Sequence, residues 1–198
     1  MGTQNRTKIW TFQAKEQWHI LLRDGTLCGN WMCISPEDET AYRYMCRKMA
    51  ARGLSCGDKP PVWGCHSCGG YQQAPDAEVA RMLLSDHQLT ACQMIMLSLE
   101  CPADQLLASD YNAWCELVYS PLAETDYAEV GLPVPSEREK DHQLFAINYT
   151  PDALIQATLP SISRDWLTRA QPLVLDSNHE VCILEESYLA GMVRYAQD

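Results

Sequence analysis

No apolar run in this chain approaches the ~20 residues that a membrane-spanning helix needs; the apolar stretches are short pieces such as Met94-Ile95-Met96-Leu97. Basic charge is also scarce. Against 26 Asp and Glu stand 15 Lys and Arg, a formal net charge of −11 whose field repels phosphate backbones and anionic lipid and disfavours nonspecific nucleic-acid binding. Met1–Lys8 is polar and leads directly into an apolar segment, without the apolar stretch and small-residue cleavage site of a signal peptide. Arg6 stands where a myristoylation motif carries Ser or Thr. Together these absences predict a cytoplasmic protein without membrane contact. Neither G-x-G-x-x-G nor G-x-x-x-x-G-K occurs, which removes the usual sequence evidence for a Rossmann or P-loop nucleotide site.

What is present argues for a folded chain: 46% hydrophobic residues, with six Trp and nine Tyr, are incompatible with the low hydrophobicity of disorder. The length predicts a single domain over 1–198, with an acidic, Pro-containing mobile loop at about 120–142 and a closing strand and helix over 180–196. Ile9, Thr11 and Gln13 alternate with Trp10 and Phe12, the period of a strand over 8–13. Trp18, Leu21 and Leu22 follow helical spacing within 15–23, and Asp24-Gly25 supplies a left-handed stop. A second helix runs from the cap Ser35 and Pro36 to Gly53, with an inward stripe of Ala41, Tyr42, Met45 and Met49. Arg43, Arg47, Lys48 and Arg52 gather on it as a locally basic cluster. Beyond Pro60-Pro61 the pattern predicts strands over 62–65, 90–100, 153–159 and 181–184, a connection over 101–107, and helices over 164–169 and 185–195. Ser109 or Asp110 caps a further helix carrying Tyr111, Trp114, Leu117 and Val118. This irregular interleaving predicts an α+β fold, one mixed domain with short flanking helices, in preference to a doubly wound parallel sheet.

With no export signal, the ten cysteines are expected to be reduced, most of them as small core hydrophobes. Cys65-His66-Ser67-Cys68 would need Cys28 and Cys33 or Cys56 to complete a zinc site; without a second C-x-x-C or an H-x-x-x-H, no metal is assigned. Ser67, His66 and Asp76 form a nucleophilic set on paper, but no G-x-S-x-G elbow frames the serine. His19, His87, His142 and His179 lack metal-ligand spacing.

Several blocks resemble a family of small bacterial proteins known only as a domain of unknown function: Lys8-Ile9-Trp10-Thr11-Phe12-Gln13, Pro61-Val62-Trp63, the segment from Leu106 to Trp114, and Ile155-Gln156-Ala157-Thr158-Leu159 followed by Ile162 and Trp166. The resemblance spans roughly residues 8–170; where the family carries further aromatics after the Trp of the second block, this chain has Cys65-His66-Ser67-Cys68. The layout also looks like the ADP-ribosyltransferase superfamily, in which an N-terminal strand and helix, a middle strand and a late strand bearing Glu or Gln surround an NAD cleft. That likeness implies a split, mostly antiparallel sheet, NAD as cofactor and Gln156 as the catalytic residue, with Trp10, Thr11, Gln13 and Trp63 binding the cofactor. Trp31 is a further stacking candidate. The superfamily's first strand offers His or Arg to NAD, whereas this one offers Thr11 or Gln13. The likeness further implies a protein or nucleic-acid-associated macromolecular target and a role in bacterial or phage conflict. The charge of −11 supports an alternative, a noncatalytic acidic protein that occupies a basic, nucleic-acid-binding partner.

Overall fold

Alternation over Arg6–Ala14 builds β1, the strand around which the computed structural model is organised; residues 5–119, 129, 131 and 133–185 are described. Ile9 on one face joins Ile95, Leu97 and Leu99, while Trp10 on the other packs with Leu84, Met94 and Met96. The remaining strands are β2 (Thr26–Cys28), β3 (Val62–Cys68), β4 (Met94–Pro102), β5 (Leu107–Asp110), β6 (Leu154–Leu159), β7 (Ser161–Ser163), β8 (Leu167–Leu175) and β9 (Val181–Ile183). Seven of them form one sheet in the order β5-β6-β3-β1-β4-β8-β9, and β2 pairs with β7 in a separate ribbon. Every pairing is antiparallel, so the fold is mixed α and β with a mostly antiparallel sheet.

Helix α1 (Lys15–Asp24) covers the Ile9 face with Trp18 and Leu21, beside Leu27 and Ile162 of the ribbon. Gly25 stops it at φ 78°, its N–H donating to Leu21 O, a conformation that a Cβ would disfavour. The opposite face carries α2 (Glu39–Ala50), α3 (Ala77–Leu83), α4 (Asp86–Ala91), α5 (Tyr111–Trp114, continued by a π turn over Cys115–Tyr119) and α6 (Glu137–Phe145). Met45, Met49, Trp114, Leu117 and Leu144 make the core between α2, α5 and α6. Burying each of these side chains stabilises the fold by roughly 1.5–3 kcal/mol.

Four elements differ from the sequence reading. The segment 90–100 is not one strand: Ser85 and Gln88 make a capping box for α4, which ends at Ala91, and β4 starts at Met94. The connection over 101–107 is shorter, because β4 continues through Pro102 and β5 begins at Leu107. The predicted helix over 164–169 is a single 3-10 turn, Arg164–Trp166, capped by Ser163. Leu167 already pairs with Leu99 of β4, so the chain extends into β8 instead. The proposed mobile loop ends earlier than 142, since Ser136 and Glu139 form a second capping box and start α6. Residues 120–128, 130, 132 and 186–198, including most of the predicted closing helix, lie outside the described residues.

Candidate active site

β1 and β3 share a single register pair, Trp10 with Cys65. Two features of the sequence shape the chain beside it. Pro60 and Pro61 bring no N–H to the entrance of β3, so the ladder has no donors there. Gly64 lies so close to β1 that a Cβ on it would stand 2.6 Å from Trp10 O, an approach only glycine permits. A side chain replaces the missing backbone bond: Thr11 Oγ1 donates to Trp63 O at 2.6 Å, and Gln13 Nε2 donates to Thr11 Oγ1 at 2.8 Å. A cavity of about 880 Å³ opens beside these residues, within the size range of small-molecule sites.

Thr11, Gln13, Trp63 and Gln156 all line this cleft. Trp10 does not: it is 8% exposed, packed under Ala80 and Leu84 in the core. Trp31 lies outside the lining too; its indole N–H donates to Asp58 O and its ring carries the Arg43 guanidinium. The lining also holds aromatic residues that the sequence marks only as helix packing or not at all: Tyr42, Tyr111, Trp114 and Tyr119. Trp63 meets Tyr42 edge-on at 5.5 Å between ring centres and Trp114 at 4.8 Å, and Trp114 lies 6.1 Å from Tyr119. Burial, followed by the charges of Tyr119 and Asp38, pushes the Tyr42 phenol up to about 12. Burial likewise raises Tyr111 and Tyr119, so all three phenols stay neutral near pH 7.

The strand register sets Gln156 between Ser109 of β5 and Cys65 of β3. Its residue is 6% exposed, and its Nε2 donates to Ser109 Oγ at 2.9 Å. Its Oε1 has no hydrogen bond among the described residues. One strand step away, Trp63 and Thr158 are register partners, and both Trp63 Nε1 and Thr158 Oγ1 are buried without a hydrogen-bond partner. The Trp63 indole, beside the Tyr42 phenol, opposes the rise that burial causes there. An unmade buried hydrogen bond costs about 1–3 kcal/mol.

The C-x-x-C segment takes a different form. A bulge at His66 shifts the register between Cys65 and Ser67, so Cys65 and Cys68 meet in one apolar cluster with Leu154, Val79 and Leu83. Their thiols hydrogen-bond, and that contact together with burial raises Cys65 well above the ordinary thiol range. No group of three or more His, Cys, Asp or Glu among the described residues is placed to hold a metal ion.

The nucleophilic set on Ser67 does not assemble, because Asp76 instead caps α3 by accepting from Val79 N at 2.9 Å. Gln72 exchanges two hydrogen bonds with the Lys8 backbone, which fixes its amide with Nε2 toward His66 Nε2 at 3.1 Å. His66 Nε2 must then accept, its proton sits on Nδ1, and Nδ1–H donates to Ser67 Oγ at 2.8 Å. A histidine that donates to serine does not activate it.

Half of the basic cluster is neutralised, while Arg47 and Arg52 lie over the Tyr44 and Phe145 rings. Arg43 pairs with Glu39, and Lys48 pairs with Glu137 and Asp141. Compared with family models, with curated proteins and with solved structures, the chain finds no match.

Proposed function

We propose that the chain is an ADP-ribosyltransferase-like protein that holds NAD in the β1–β3 cleft and modifies a macromolecular target. The observation that carries this reading is the convergence of Gln156, Trp63, Thr11 and Gln13 on one cavity between an N-terminal strand, a middle strand and a late strand. That is the arrangement the superfamily likeness implies. The order β6-β3-β1 makes these three strands direct neighbours, and α1 follows the first of them.

The residues also fit the group chemically. Oxidised nicotinamide is a cationic ring, and Tyr42, Trp63, Tyr111, Trp114 and Tyr119 offer π faces and neutral phenols, which attract a desolvated cation by about 2 kcal/mol. NAD, when bound, supplies the ADP-ribosyl group and carries nicotinamide as a neutral leaving group. Gln156 Oε1 accepts a hydrogen bond from a ribose hydroxyl and presents its partial negative charge where positive charge develops on the sugar. Ser109 holds the Gln156 amide in place. Thr11 and Gln13 stand where the superfamily carries His or Arg, and they offer hydrogen bonds without charge. With an amide in place of a carboxylate, the chain works as a slow transferase.

Incubation with NAD labelled in its adenylate half, together with a bacterial lysate, tests the reading. Label should enter protein or nucleic acid with the wild-type chain and fall at least about 100-fold with Gln156→Ala, the cost of removing one positioned transition-state partner. No incorporation by the wild type would remove the transferase. Salt-sensitive capture of a basic partner that survives Gln156→Ala would favour the acidic interaction protein instead.

A further inference from the structure

Helix α2 and the turn behind it bring two half-buried thiols together, apart from the chemistry assigned to the cleft. Cys46 Sγ reaches the carbonyl of Lys59 at 4.0 Å. Cys56 Sγ rests on Met49 Sδ at 3.8 Å, and Met49 lies one turn along α2 from Cys46. Lys59 N–H donates to Cys56 O at 3.1 Å, closing a tight turn that ties the residue touched by Cys46 to the residue bearing the second thiol. Cys46 and Cys56 thus flank the same Lys59 turn and the same stretch of α2.

We propose that Cys46 and Cys56 are a redox modification site, where hydrogen peroxide or an alkyl hydroperoxide joins them in a reversible disulfide. Cys46 is the attacking sulfur. Cys46 stands one turn after Arg43 on α2, and the neighbouring Cys56 thiol together with the Arg43 charge favours its thiolate against burial. The same proximity raises Cys56, which keeps its proton until the second step. Thiolate attack on the peroxide breaks the O–O bond, gives a sulfenic acid on Cys46 and releases water or alcohol once the leaving oxygen is protonated. Cys56 then attacks that sulfur. The S–S bond forms, the S–O bond breaks, and water leaves with the Cys56 proton; two thiols are oxidised by two electrons and one peroxide is reduced.

The modification bears on the cleft because Lys59, Pro60, Pro61 and Trp63 line it. A Cys46–Cys56 bond would fasten that wall to α2. Cys65 and Cys68, each 5% exposed, are shielded and serve as an internal control.

Full-length reduced protein, treated with equimolar hydrogen peroxide and digested without reductant, tests the proposal by mass spectrometry. The expected product is a Cys46–Cys56 linked peptide pair, two hydrogens lighter than the free thiols and restored by dithiothreitol. In Cys56→Ser, dimedone should trap a sulfenic acid on Cys46; in Cys46→Ser, no adduct should form on Cys56. Iodoacetamide should label Cys46 of the wild type at least about ten-fold faster than Cys65 or Cys68, a measurement that depends on no variant. Free Cys46 and Cys56 thiols after Cys28 or Cys33 has oxidised, or a dominant Cys28–Cys56 link, would overturn the proposal.

Discussion

At Gln156 the register of three strands does the positioning: Ser109 on one side and Cys65 on the other leave its amide one direction to face. Replacing that amide by a carboxylate keeps the shape and adds charge. Gln156→Glu should therefore raise label transfer by about ten-fold, since a charge-assisted hydrogen bond is roughly twice as strong as a neutral one. Equal or lower transfer, with an unchanged melting temperature, would contradict the role given to the oxygen. The residues that meet at the cleft were partly legible in the sequence. Thr11, Gln13, Trp63 and Gln156 line one cleft, whereas Trp10 is core. Tyr42 was read as core stripe, but it lines the cleft and Tyr44 takes the buried position. The two stand two residues apart on α2, nearly opposite in helical angle, and apolar spacing alone does not choose between tyrosines. Tyr111, Trp114 and Tyr119 had no signal beyond amphipathic packing, because which strand their helix covers is a tertiary fact.

Helices α2 and α6 are joined by a small polar network whose pH response can be worked out. Tyr44 donates to Asp141 at 2.5 Å, and Lys48 donates to Asp141 at 2.7 Å and to Glu137 at 2.5 Å. Burial acts to raise Asp141, but hydrogen bonds from Lys48 and Tyr44 outweigh it and hold the carboxyl below its ordinary value. Burial acts to lower Lys48, and its bonds to Asp141 and Glu137 outweigh that, so the ammonium is held above its ordinary value. The Asp141 contribution is thus complete above the unfolded carboxyl value of about 3.9 and is lost as pH falls through the lower folded value. The Lys48 contribution is complete below about 10.4 and is lost as pH rises through the higher folded value.

Asp141→Ala should cost about 1–2 kcal/mol, discounted for its partial exposure, and lower the melting temperature by roughly 2–8 °C at neutral pH. That difference should shrink toward pH 3. A variant gap that stays constant from pH 7 to pH 3 would contradict the network. At this scale the sequence was readable where one period dominates, as in β1, α1 and β6. It misled where a capping signal sat inside an expected strand or loop, at Ser85 and Ser136, and where Ser163 capped only a 3-10 turn. The Asx and Ser caps locate a helix start, but its length is decided by what the next residues pair with.

Over the whole molecule, apolar clusters on both faces of the sheet make up the core. A strong chelator should accordingly leave the melting temperature unchanged, and elemental analysis should find no stoichiometric zinc. One zinc per chain together with unfolding in Cys65→Ser would reverse that statement, since a structural zinc contributes ~10 kcal/mol or more. The acidic charge of −11 makes association with an anionic ligand sensitive to salt, so the proposed binding of NAD would rest on local chemistry in the cleft and not on the field of the molecule. That separates the two redox forms of the cofactor: NAD carries a cationic nicotinamide and NADH a neutral one, with otherwise matching groups. Calorimetric titration of the reduced wild-type protein with each form, in the same buffer, measures the contribution of the aromatic walls directly. The account predicts that NAD binds about 2- to 30-fold more tightly than NADH, the range of a cation–π contribution of about 0.5–2 kcal/mol. Equal affinities, tighter NADH, or no heat with either form would contradict the assignment of this cleft to NAD.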